Sequence, residues 1–327
     1  MKPASQKNSK LEKIIKVEIG NTKLVEIKHL EISKNIRVFA KLEHEKKAGT
    51  GSIKDRAAHR IIKELLEDNN YVLEDRAGSF IPRRLKYNSN LEILDSTSGN
   101  YGISLAYFSS LIGLKVELVI PGNIPKGLLE KITSYGVEPI LTNPLDGYNG
   151  AMDKVKELAK DAKYLYLNQY DNIGNLNAHY YGTGREIWDQ ILGLTDNKLT
   201  DFVVGVGTGG TIIGASSYLK EKNPNLRVYS VHPQDDFVGI QGLQPFVEGK
   251  IRTNIFNANR NLVNENILVT TNEVEEQWKD LINSGFNVGM SSGANIAGII
   301  KMIEKGRINR GIVATVFSDN LDRYNSI

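Results

Sequence analysis

The chain has 327 residues, of which 40% are hydrophobic and 24% are charged, and its 41 basic and 38 acidic side chains give a formal net charge of +3. This composition is typical of an ordinary globular α/β protein, and the small, mixed charge disfavours a nucleic-acid surface. The absence of cysteine excludes disulfides, thiolate metal sites and a cysteine nucleophile.

The five histidines show no spacing typical of a metal site, so we predict that the protein binds no metal. The Lys-rich N-terminus lacks the apolar core of a signal peptide, and no later stretch reaches the apolar length of a membrane span. We therefore expect a cytoplasmic protein that binds no membrane and no nucleic acid and acts on small molecules.

The first segment that can carry chemistry runs from Gly49 to Arg56 and reads GTGSIKDR. Ser52 and Asp55 predict a capping box, which places Lys54 in the first turn of a helix. The helix dipole disfavours the ammonium form there, and this suits a lysine that forms Schiff bases. The alternative is a solvated lysine at a charged helix start, and this segment alone favours the alternative.

From about residue 91, short β-rich runs alternate with helical periodicity, which predicts βαβ units and a parallel sheet. A second alternation begins after residue 200. We therefore predict two α/β lobes, residues 1–165 and 166–327, with a cleft between them, although the first residues of the chain can pack on the second lobe. Ligands of such sheets bind at the carboxyl ends of strands. The predicted strands are LEILD, LKVELVI, VEPILT, DFVVGVG and LRVYSVH.

The segment from Asp95 to Gly102, DSTSGNYG, lies between a predicted strand and a predicted helix. Small polar side chains and exposed backbone N–H groups at a helix N-terminus form an anion site, suited to a carboxylate or a phosphate. An ordinary N-cap turn is an equally good interpretation of this segment alone.

A glycine-rich segment, GVGTGGT, runs from Gly205 to Thr211, again between a strand and a helix. Glycines let the backbone approach an anion, so a phosphate is the natural ligand. The segment also satisfies G-x-G-x-x-G through Gly205, Gly207 and Gly210, which leaves a dinucleotide site as an alternative. Against that alternative, the acidic residue expected about twenty positions on is absent, because residues 231–233 read VHP. A further segment, GMSSGA at residues 289–294, opens a predicted helix and on its own is typical of a helix cap.

A series of motifs in order along the chain resembles the cysteine synthase (O-acetylserine sulfhydrylase) and cystathionine β-synthase family of pyridoxal-phosphate enzymes: GSIKDR, STSGN, NQY, GTGGT and SSGA, closing on Ser318-Asp319 and Arg323-Tyr324. The similarity runs from Ile19 over nearly the whole chain. It implies the fold-type II architecture, which is tryptophan synthase β-like. Each of its two α/β lobes has a central, mostly parallel sheet flanked by helices, and the active site lies in the cleft between them. Members of the family are typically homodimers.

The resemblance assigns roles by matching motif. Lys54 would form the internal aldimine and then move protons at the substrate α-carbon. Asn100 would bond the cofactor's ring oxygen, and Ser291 would face its pyridine nitrogen. A neutral serine there favours loss of a β-substituent over transamination. The remaining implied contacts are Gly207, Thr208, Gly209, Gly210 and Thr211 around the cofactor phosphate, and Thr97, Ser98, Gly99, Gln169 and Gly242 around the substrate.

The implied reaction is a β-replacement on a serine derivative through an aminoacrylate, and our leading interpretation is cysteine synthesis from O-acetylserine and sulfide. One alternative is an enzyme that uses cysteine or serine and releases sulfide or forms cystathionine or lanthionine. Another is a synthase of diaminopropionate precursors. From different classes, a nicotinamide-dependent oxidoreductase and a non-catalytic binder of the same fold are also considered.

The chain departs from the family pattern at several places. Tyr101 replaces a small residue after the STSGN motif and adds bulk near the carboxylate site, and residues 76–89 look like an insertion. The loop before Lys54 lacks the usual Asn-Pro pair. In the shortened stretch after residue 232, Asp235 and Asp236 are candidate bases for an incoming nucleophile, although two solvated loop acids are the plainer interpretation.

Overall fold

A computed structural model gives the structure of the protein and describes residues 3–28, 35–45, 49–76, 79–234, 240, 242–246 and 251–323. The strands in this part of the chain are β1 (Leu24–Glu26), β2 (Ile36–Leu42), β3 (Asn70–Arg76), β4 (Ser79–Leu85), β5 (Glu92–Ser96), β6 (Val116–Pro121), β7 (Ile140–Thr142), β8 (Tyr164–Tyr166), β9 (Leu199–Gly205), β10 (Arg227–Pro233), β11 (Glu265–Val269) and β12 (Gly311–Phe317).

The α-helices of the same residues are α1 (Pro3–Ile15), α2 (Lys54–Leu66), α3 (Asn100–Ile112), α4 (Lys126–Thr133), α5 (Gly147–Leu158), α6 (Ile173–Ala178), α7 (Arg185–Leu194), α8 (Gly210–Lys222), α9 (Asn254–Ala258), α10 (Thr271–Asn283) and α11 (Met290–Glu304). A π-helical stretch, His179–Gly184, joins α6 to α7. The five strands predicted from the sequence are confirmed to within a few residues at each end.

The chain divides into two compact units. Unit 1 contains Met1–Ile19, Lys47–Asn175 and Arg323–Ile327, and unit 2 contains Gly20–Lys46 and Leu176–Asp322. The predicted lobes, 1–165 and 166–327, divide the chain only once, whereas this division is discontinuous. The reason is β2, which pairs along its whole length with β12 and so belongs to the sheet of unit 2.

Unit 1 contains a sheet of four parallel strands in the order β7-β6-β5-β8. Successive side chains of a strand point to opposite faces. Ile93 therefore joins a core formed with helices α1 to α4, while Leu94 packs on the other face with Ala151 and Val155 of α5. Because both faces are covered, the central strands β5 and β6 carry consecutive buried apolar residues, such as Ile93 and Leu94, instead of a strict alternation.

Residues 76–89, which look like an insertion in the sequence, contain a strand of a hairpin. Strand β4 pairs antiparallel with β3 in a register that runs from Asn70 opposite Leu85 to Arg76 opposite Ser79. Most side chains of β4 are exposed, and Leu85 is its buried residue. The two strands form a separate two-stranded sheet in unit 1.

Unit 2 contains a six-stranded sheet in the order β1-β2-β12-β9-β10-β11, in which every neighbouring pair is parallel except β1 and β2. Helices α10 and α11 cover one face, where Val203, Val231 and Val313 of the strands pack with Val274 and Ile296 of the helices. The observed fold is therefore the α/β architecture that the sequence predicts, with one mostly parallel central sheet in each unit.

The sheet topology brings the predicted site segments to two sheet edges, one in each unit. In unit 1, β5 and β8 are parallel neighbours, so the STSGN turn and Gln169 follow strands that end at the same edge. In unit 2, β9 and β12 are parallel neighbours, so the glycine-rich loop and Ser318-Asp319 also share an edge. Among the helices of the described residues, none combines the length and the apolar character needed to cross a bilayer.

Candidate active site

Lys54 is the first residue of α2 and follows a loop that its neighbour Asp55 organises. The Asp55 carboxylate accepts hydrogen bonds from three successive backbone N–H groups, those of Thr50 at 2.8 Å, Gly51 at 2.9 Å and Ser52 at 3.2 Å. Gly51 has a φ of 85°, which favours glycine and lets the loop wrap around the carboxylate. The loop therefore gives Lys54 a defined position at the helix start.

The predicted capping box forms only in half: the carboxylate of Asp55 accepts the N–H of Ser52 at 3.2 Å, but the N–H of Asp55 donates to the carbonyl oxygen of Ser52 instead of to its Oγ. The helix begins two residues after Ser52, and its N-cap, Ile53, makes no side-chain cap bond. Ser52 Oγ instead accepts the N–H of Lys54 at 3.3 Å. The carboxylate of Asp55 takes over the capping role because the preceding loop folds back over it. The prediction that Lys54 lies in the first helical turn is confirmed.

A serine hydroxyl connects the Lys54 loop to the start of α3. Ser104 Oγ lies 2.8 Å from Asp55 Oδ1 and 3.0 Å from the carbonyl oxygen of Asn100. These contacts hold the first turn of α2 beside the first turn of α3, so Lys54 and Asn100 lie in the same part of unit 1. Lys54 is half-buried at the N-terminus of α2.

The STSGN turn is folded by the side chain of Thr97. Thr97 Oγ1 accepts the N–H of Gly99 at 3.1 Å and that of Gly102 at 3.0 Å. A Cβ at Gly102 would collide with the Thr97 side chain, so glycine is required for this close approach. Ser98 is exposed, while Gly99 is the N-cap of α3. The turn thus presents a hydroxyl and the first N–H groups of α3, which are donors for an anion.

Gln169 lies beyond the end of β8 and is held against the STSGN turn. Its side-chain Nε2 donates to the carbonyl oxygen of Ser96 at 2.9 Å, and its backbone N–H donates to the carboxylate of Asp95 at 3.2 Å. Gln169 is buried, with 4% of its surface exposed. Unit 1 therefore brings together all its predicted site residues, which are Lys54, Thr97, Ser98, Gly99, Asn100 and Gln169.

The extra bulk of Tyr101 is accommodated in the core of unit 1. Its side chain is 2% exposed and packs among the apolar residues between the sheet and helices α2 and α3. Its phenol lies beside the carboxyl group of Asp95, and burial together with that group raises the pKa of Tyr101 well above its usual value. Tyr101 therefore lies below the STSGN turn, on its core side.

In unit 2, the glycine-rich loop ends at the N-terminus of α8. Gly209 has a φ of 84°, and a Cβ there would lie 2.9 Å from the side chain of Phe256. Thr211 lies in the first turn of α8, and its Oγ1 is 3.3 Å from Nε2 of the buried His179. Because the loop is closely backed by Phe256, only glycine fits at position 209.

Three consecutive carbonyl groups of this loop are held by hydrogen-bond donors. The carbonyl oxygen of Val206 accepts the N–H of Gln244 at 2.8 Å, and that of Gly207 accepts its Nε2 at 2.9 Å. The carbonyl oxygen of Thr208 accepts Thr253 Oγ1 at 2.8 Å. With its carbonyl groups engaged, the loop offers the N–H groups at the start of α8 to an anion such as a phosphate.

Ser291 lies in the first turn of α11 and is 8% exposed. Asn295, one turn later, accepts the N–H of Gly205 at 2.6 Å and donates to the carbonyl oxygen of Val316 at 2.7 Å. The N–H of Gly289 donates to the backbone carbonyl oxygen of Asp319 at 3.1 Å. The start of α11 is therefore fixed at the same sheet edge of unit 2 as the glycine-rich loop.

The remaining predicted residues are placed less completely. Gly242 has a φ of 89° and is exposed. Asp235 and Asp236 lie outside the described residues, so their predicted role as bases stays a prediction. Within the described ranges, no group of three or more histidine, aspartate or glutamate side chains is arranged to hold a metal ion.

Sequence reasoning missed the residues that support the site without belonging to its motifs. Asp95 holds Gln169, Gln244 holds the glycine-rich loop, and Asn295 connects α11 to two strands. Asp95 is adjacent to the STSGN motif and could have been noticed as a carboxylate at the end of an apolar strand. The other two carry no local signal, because their partners are distant in the chain.

A mostly parallel sheet in each unit, a lysine at a helix start and a glycine-rich loop before another helix are features expected of a cofactor-dependent α/β enzyme. The family model described as pyridoxal-phosphate dependent enzyme matches residues 15–319. The chain belongs to this family. The family match therefore disfavours the dinucleotide interpretation of the glycine-rich loop, and binding of the cofactor phosphate by this loop stays a prediction.

Three similar proteins illustrate the relationship. A cysteine synthase of Aquifex aeolicus is 35% identical over 323 residues, which cover 96% of this chain and 90% of the relative. The crystal structure of a cysteine synthase from Entamoeba histolytica has a TM-score of 0.78 at 29% identity, covering 97% and 88% of the two chains. An O-acetylserine dependent cystathionine β-synthase from Helicobacter pylori has a TM-score of 0.78 at 28% identity, covering 98% and 97%.

The predicted site residues of each unit, taken separately, supply groups that pyridoxal phosphate requires. The cofactor requires an amine, and Lys54 supplies one at a helix start. It requires a pocket for a phosphate dianion, and the loop backed by Phe256 and Gln244 provides uncharged donors at the positive end of α8. It also requires a group facing its ring nitrogen, for which Ser291 is a neutral candidate.

Proposed function

We propose that this enzyme forms cysteine and acetate from sulfide and O-acetylserine by pyridoxal-phosphate-dependent β-replacement. The observation that carries the proposal is the joint placement of Lys54 and the STSGN turn. The contacts of Ser104 with Asp55 and Asn100 hold an amine beside a helix N-terminus suited to a carboxylate. An amine next to a carboxylate site is what chemistry at the α-carbon of an amino acid needs.

The residues of unit 1 would bind the amino acid and move its proton. The N–H groups at the start of α3 and the amide of Gln169 would hold the carboxylate. Lys54 would remove the α-proton, the β C–O bond would break with release of acetate, and sulfide would add at the β-carbon. Lys54 would then return the proton to the α-carbon. The bound cofactor supplies the conjugated ring that takes up electrons from the α-carbon.

The residues of unit 2 would hold the phosphate and ring of the cofactor. Gly207, Thr208, Gly209, Gly210 and Thr211 would bind the phosphate through N–H groups and hydroxyls. Ser291, being neutral, cannot keep the ring nitrogen protonated as a carboxylate would. Less charge would then be stored in the ring, which favours expulsion of a β-substituent over transamination.

The test is a cysteine-forming assay with O-acetylserine and sulfide on the cofactor-loaded enzyme. We expect activity in the wild type and a loss of at least about a thousandfold in Lys54→Ala, because nucleophile and base are removed together. Lys63→Ala is the matched control, since Lys63 lies on the same helix in a surface pair with Glu67. Wild-type enzyme that binds the cofactor but makes no cysteine from O-acetylserine would overturn the proposal.

A second candidate acceptor is homocysteine, because the similar Helicobacter pylori enzyme is an O-acetylserine dependent cystathionine β-synthase. Supplying O-acetylserine with sulfide or with homocysteine distinguishes the two acceptors. Replacing O-acetylserine by O-phosphoserine, serine or cysteine tests the alternative donors, and amino-acid nucleophiles test diaminopropionate-type products. Sulfide release from cysteine alone would mark lyase activity.

Two further properties stay predictions. The homodimer rests on the family resemblance and is tested by sedimentation of the purified enzyme. The cytoplasmic location rests on the composition of the chain and is tested by cell fractionation with an antibody.

A further inference from the structure

A buried carboxyl group lies directly below the STSGN turn and has no part in the mechanism above. Asp95 ends the apolar run of β5, and its surface exposure is 0%. Moving a carboxylate out of water is costly unless other groups compensate for the lost hydration. In the described structure its hydrogen-bond donors are backbone N–H groups, and a phenol rather than a basic side chain lies beside it. Because burying this carboxyl group costs free energy, we expect it to have a function.

Asp95 closes a bridge between two strand ends. Its Oδ1 accepts the N–H of Ser96 at 2.8 Å, and its Oδ2 accepts the N–H of Gln169 at 3.2 Å. Gln169 Nε2 donates back to the carbonyl oxygen of Ser96 at 2.9 Å. These three bonds lie beyond the last sheet hydrogen bond between the strands, from the N–H of Leu167 to Leu94 at 3.0 Å. The two bonds made by Gln169 hold together two segments that the regular ladder does not reach, while the bond from Ser96 fixes the Asp95 carboxyl group at the end of its own strand.

Gln169 is also fixed from its other side. Asn168, the residue before it, has a φ of 52°, a left-handed conformation that turns the chain at the end of β8. The carbonyl oxygen of Gln169 accepts Nδ2 of Asn175 at 2.9 Å. The left-handed conformation of Asn168 and the bonds to its own N–H and carbonyl groups hold Gln169 in one geometry. Asp95 supplies the acceptor for that N–H, on the side of the STSGN turn.

Phenols surround the bridge. Tyr101 from α3, Tyr148 from α5 and Tyr166 from β8 face Asp95 or Ser96. Tyr148 Oη lies 3.0 Å from Ser96 Oγ. Tyr170 and Asp171, in the turn after β8, are the other titratable groups of this region, and Tyr148 and Tyr170 have ring centroids 5.7 Å apart.

The state of the Asp95 carboxyl group follows from this environment. Burial raises the pKa of Asp95 to about 7, while the two N–H groups and the Tyr101 phenol oppose the rise. The group therefore takes up or loses a proton within the pH range in which the enzyme can be assayed. A carboxyl group in either state can accept the N–H bonds of the bridge, but only the neutral state adds no negative charge beside a bound carboxylate.

We propose that Asp95 is a positioning residue for the substrate carboxylate, which it serves by holding Gln169 against the STSGN turn through the backbone of Ser96. The inference rests on the proposed function in that it takes the ligand to be an amino acid. Asp95 does not touch the ligand, and it acts through Gln169 and the start of α3. Binding of the ligand carboxylate favours the neutral form of Asp95, so affinity falls as Asp95 loses its proton.

The experiment measures binding of L-methionine, which has no leaving group at its β-carbon, through the visible absorbance of the cofactor-loaded enzyme. In Asp95→Asn, one of the two carboxyl oxygens that accept the bridge hydrogen bonds is replaced by an NH2 group. This group is a donor, and it faces a backbone N–H that is also a donor. We expect the Kd to rise at least about tenfold at pH 6 while cofactor content is unchanged, because a buried N–H loses its partner. Asp161→Asn is the matched control, since Asp161 accepts the N–H of Lys163 at 2.9 Å on the exposed surface of the same unit.

The pH profile separates positioning from a purely structural role. In the wild type, the Kd for methionine should rise as Asp95 ionises, whereas Asp95→Asn lacks this change. The ratio of the variant Kd to the wild-type Kd should therefore fall at least about threefold between pH 6 and pH 8. A ratio near one at both pH values, or a ratio that does not change with pH, contradicts the proposal.

A second variant covers the case in which Asp95→Asn does not fold. Tyr101→Phe keeps the core volume and removes the phenol that lowers the pKa of Asp95. In this variant, the midpoint of the rise of the methionine Kd with pH should therefore lie at a higher pH than in the wild type. An unmoved midpoint contradicts the inference. The cysteine-forming assay on wild-type enzyme is independent of these measurements, so failure of the proposed function is recognised separately.

Discussion

At the scale of single residues, His232 shows how burial converts an ordinary side chain into a pH-dependent contribution to stability. It is fully buried at the end of β10, with Nδ1 3.1 Å from the carbonyl oxygen of Gln244 and Nε2 2.9 Å from Ser230 Oγ. Phe246 and Phe256 lie against its ring. Burial lowers the pKa of His232 from 6.5 to about 4.

The sign of the effect follows from comparing the folded and unfolded states. Between pH 6.5 and 4 the unfolded chain binds a proton at His232 that the folded protein does not. The neutral His232 ring therefore makes its full contribution to the free energy of unfolding above pH 6.5. As the pH falls toward 4, up to about 3 kcal/mol of this free energy is lost. We expect His232→Gln to lose less stability than the wild type between pH 7 and pH 5 in denaturant unfolding. Parallel losses in the two proteins would contradict the predicted pKa shift.

At the scale of elements, two helix starts show how the same sequence signal gives different caps. Helix α10 has the complete capping box, in which Glu273 N–H donates to Thr270 Oγ1 at 3.3 Å and Thr270 N–H donates to Glu273 Oε2 at 2.7 Å. The corresponding signal before α2 gives only half of a box: Asp55 accepts the N–H of Ser52 as well as those of Thr50 and Gly51, whereas Ser52 Oγ accepts the N–H of Lys54. The sequence pattern therefore does not determine whether both bonds of the box form.

We expect Thr270→Ala to lower the free energy of unfolding by about 1 kcal/mol, since it removes the acceptor for the half-buried N–H of Glu273 at the helix start. Chemical denaturation measures the change. Asn272→Ala is the control, because Asn272 is exposed in the same first turn and has no part in the capping box. Equal effects of the two substitutions would show that the box contributes nothing.

In the proposed function, the glycine-rich loop before α8 binds the phosphate of the cofactor. Gly209→Ala places a Cβ at a φ of 84° and 2.9 Å from Phe256. We expect the affinity for pyridoxal phosphate to fall at least about tenfold, because strain and collision displace the N–H groups that would bind the phosphate. Titration of the apo-enzyme with pyridoxal phosphate, followed by absorbance, measures this affinity.

Gly193→Ala is the control for this loop prediction. Gly193 lies in α7 with open space around its Cα, and its φ is ordinary, so alanine should leave the affinity unchanged. If the two variants bound the cofactor equally well, the loop would not be the phosphate site.

At the scale of the whole molecule, the discontinuous unit 2 determines what can fold alone. Strand β2 is internal to the six-stranded sheet, between β1 and β12. Lys41, at 0% exposure, donates to the carbonyl oxygen of Thr22 at 2.6 Å and to Gln190 Oε1 at 2.8 Å, and pairs with Glu186 at 2.8 Å. The segment Gly20–Lys46 is thus built into unit 2 by both its backbone and its side chains.

We expect a fragment of residues 176–322 alone to lack a cooperative thermal transition, because an edge of β12 and the apolar face under β2 would be exposed. A fragment in which residues 20–46 are joined to 176–322 by a glycine-rich linker should melt cooperatively. Calorimetry of the two fragments tests this expectation. A cooperative transition in the fragment of residues 176–322 alone would contradict the discontinuous composition of unit 2.

Much of the fold and the main site segments could be predicted from the sequence. The strands around LEILD and DFVVGVG and the apolar face of α2 follow from local periodicity, and the observed elements confirm them. The order of the motifs from GSIKDR to SSGA identified the family and the cofactor, and the family match confirms both. The hairpin of β3 and β4 was missed because an exposed strand has no strong apolar pattern.

The sequence by itself determined five strands of the two main sheets, the family and its cofactor, and that Lys54 begins a helix. These features depend on the periodicity, turn residues and motif order of neighbouring positions. Only the tertiary structure decided the unit to which β2 belongs and the residues that support the site. Asp95 and Gln169 are 74 positions apart, and Gln244 is 37 positions from Gly207. Contacts over such separations leave no local pattern, because they arise when parallel strands place distant segments at one sheet edge.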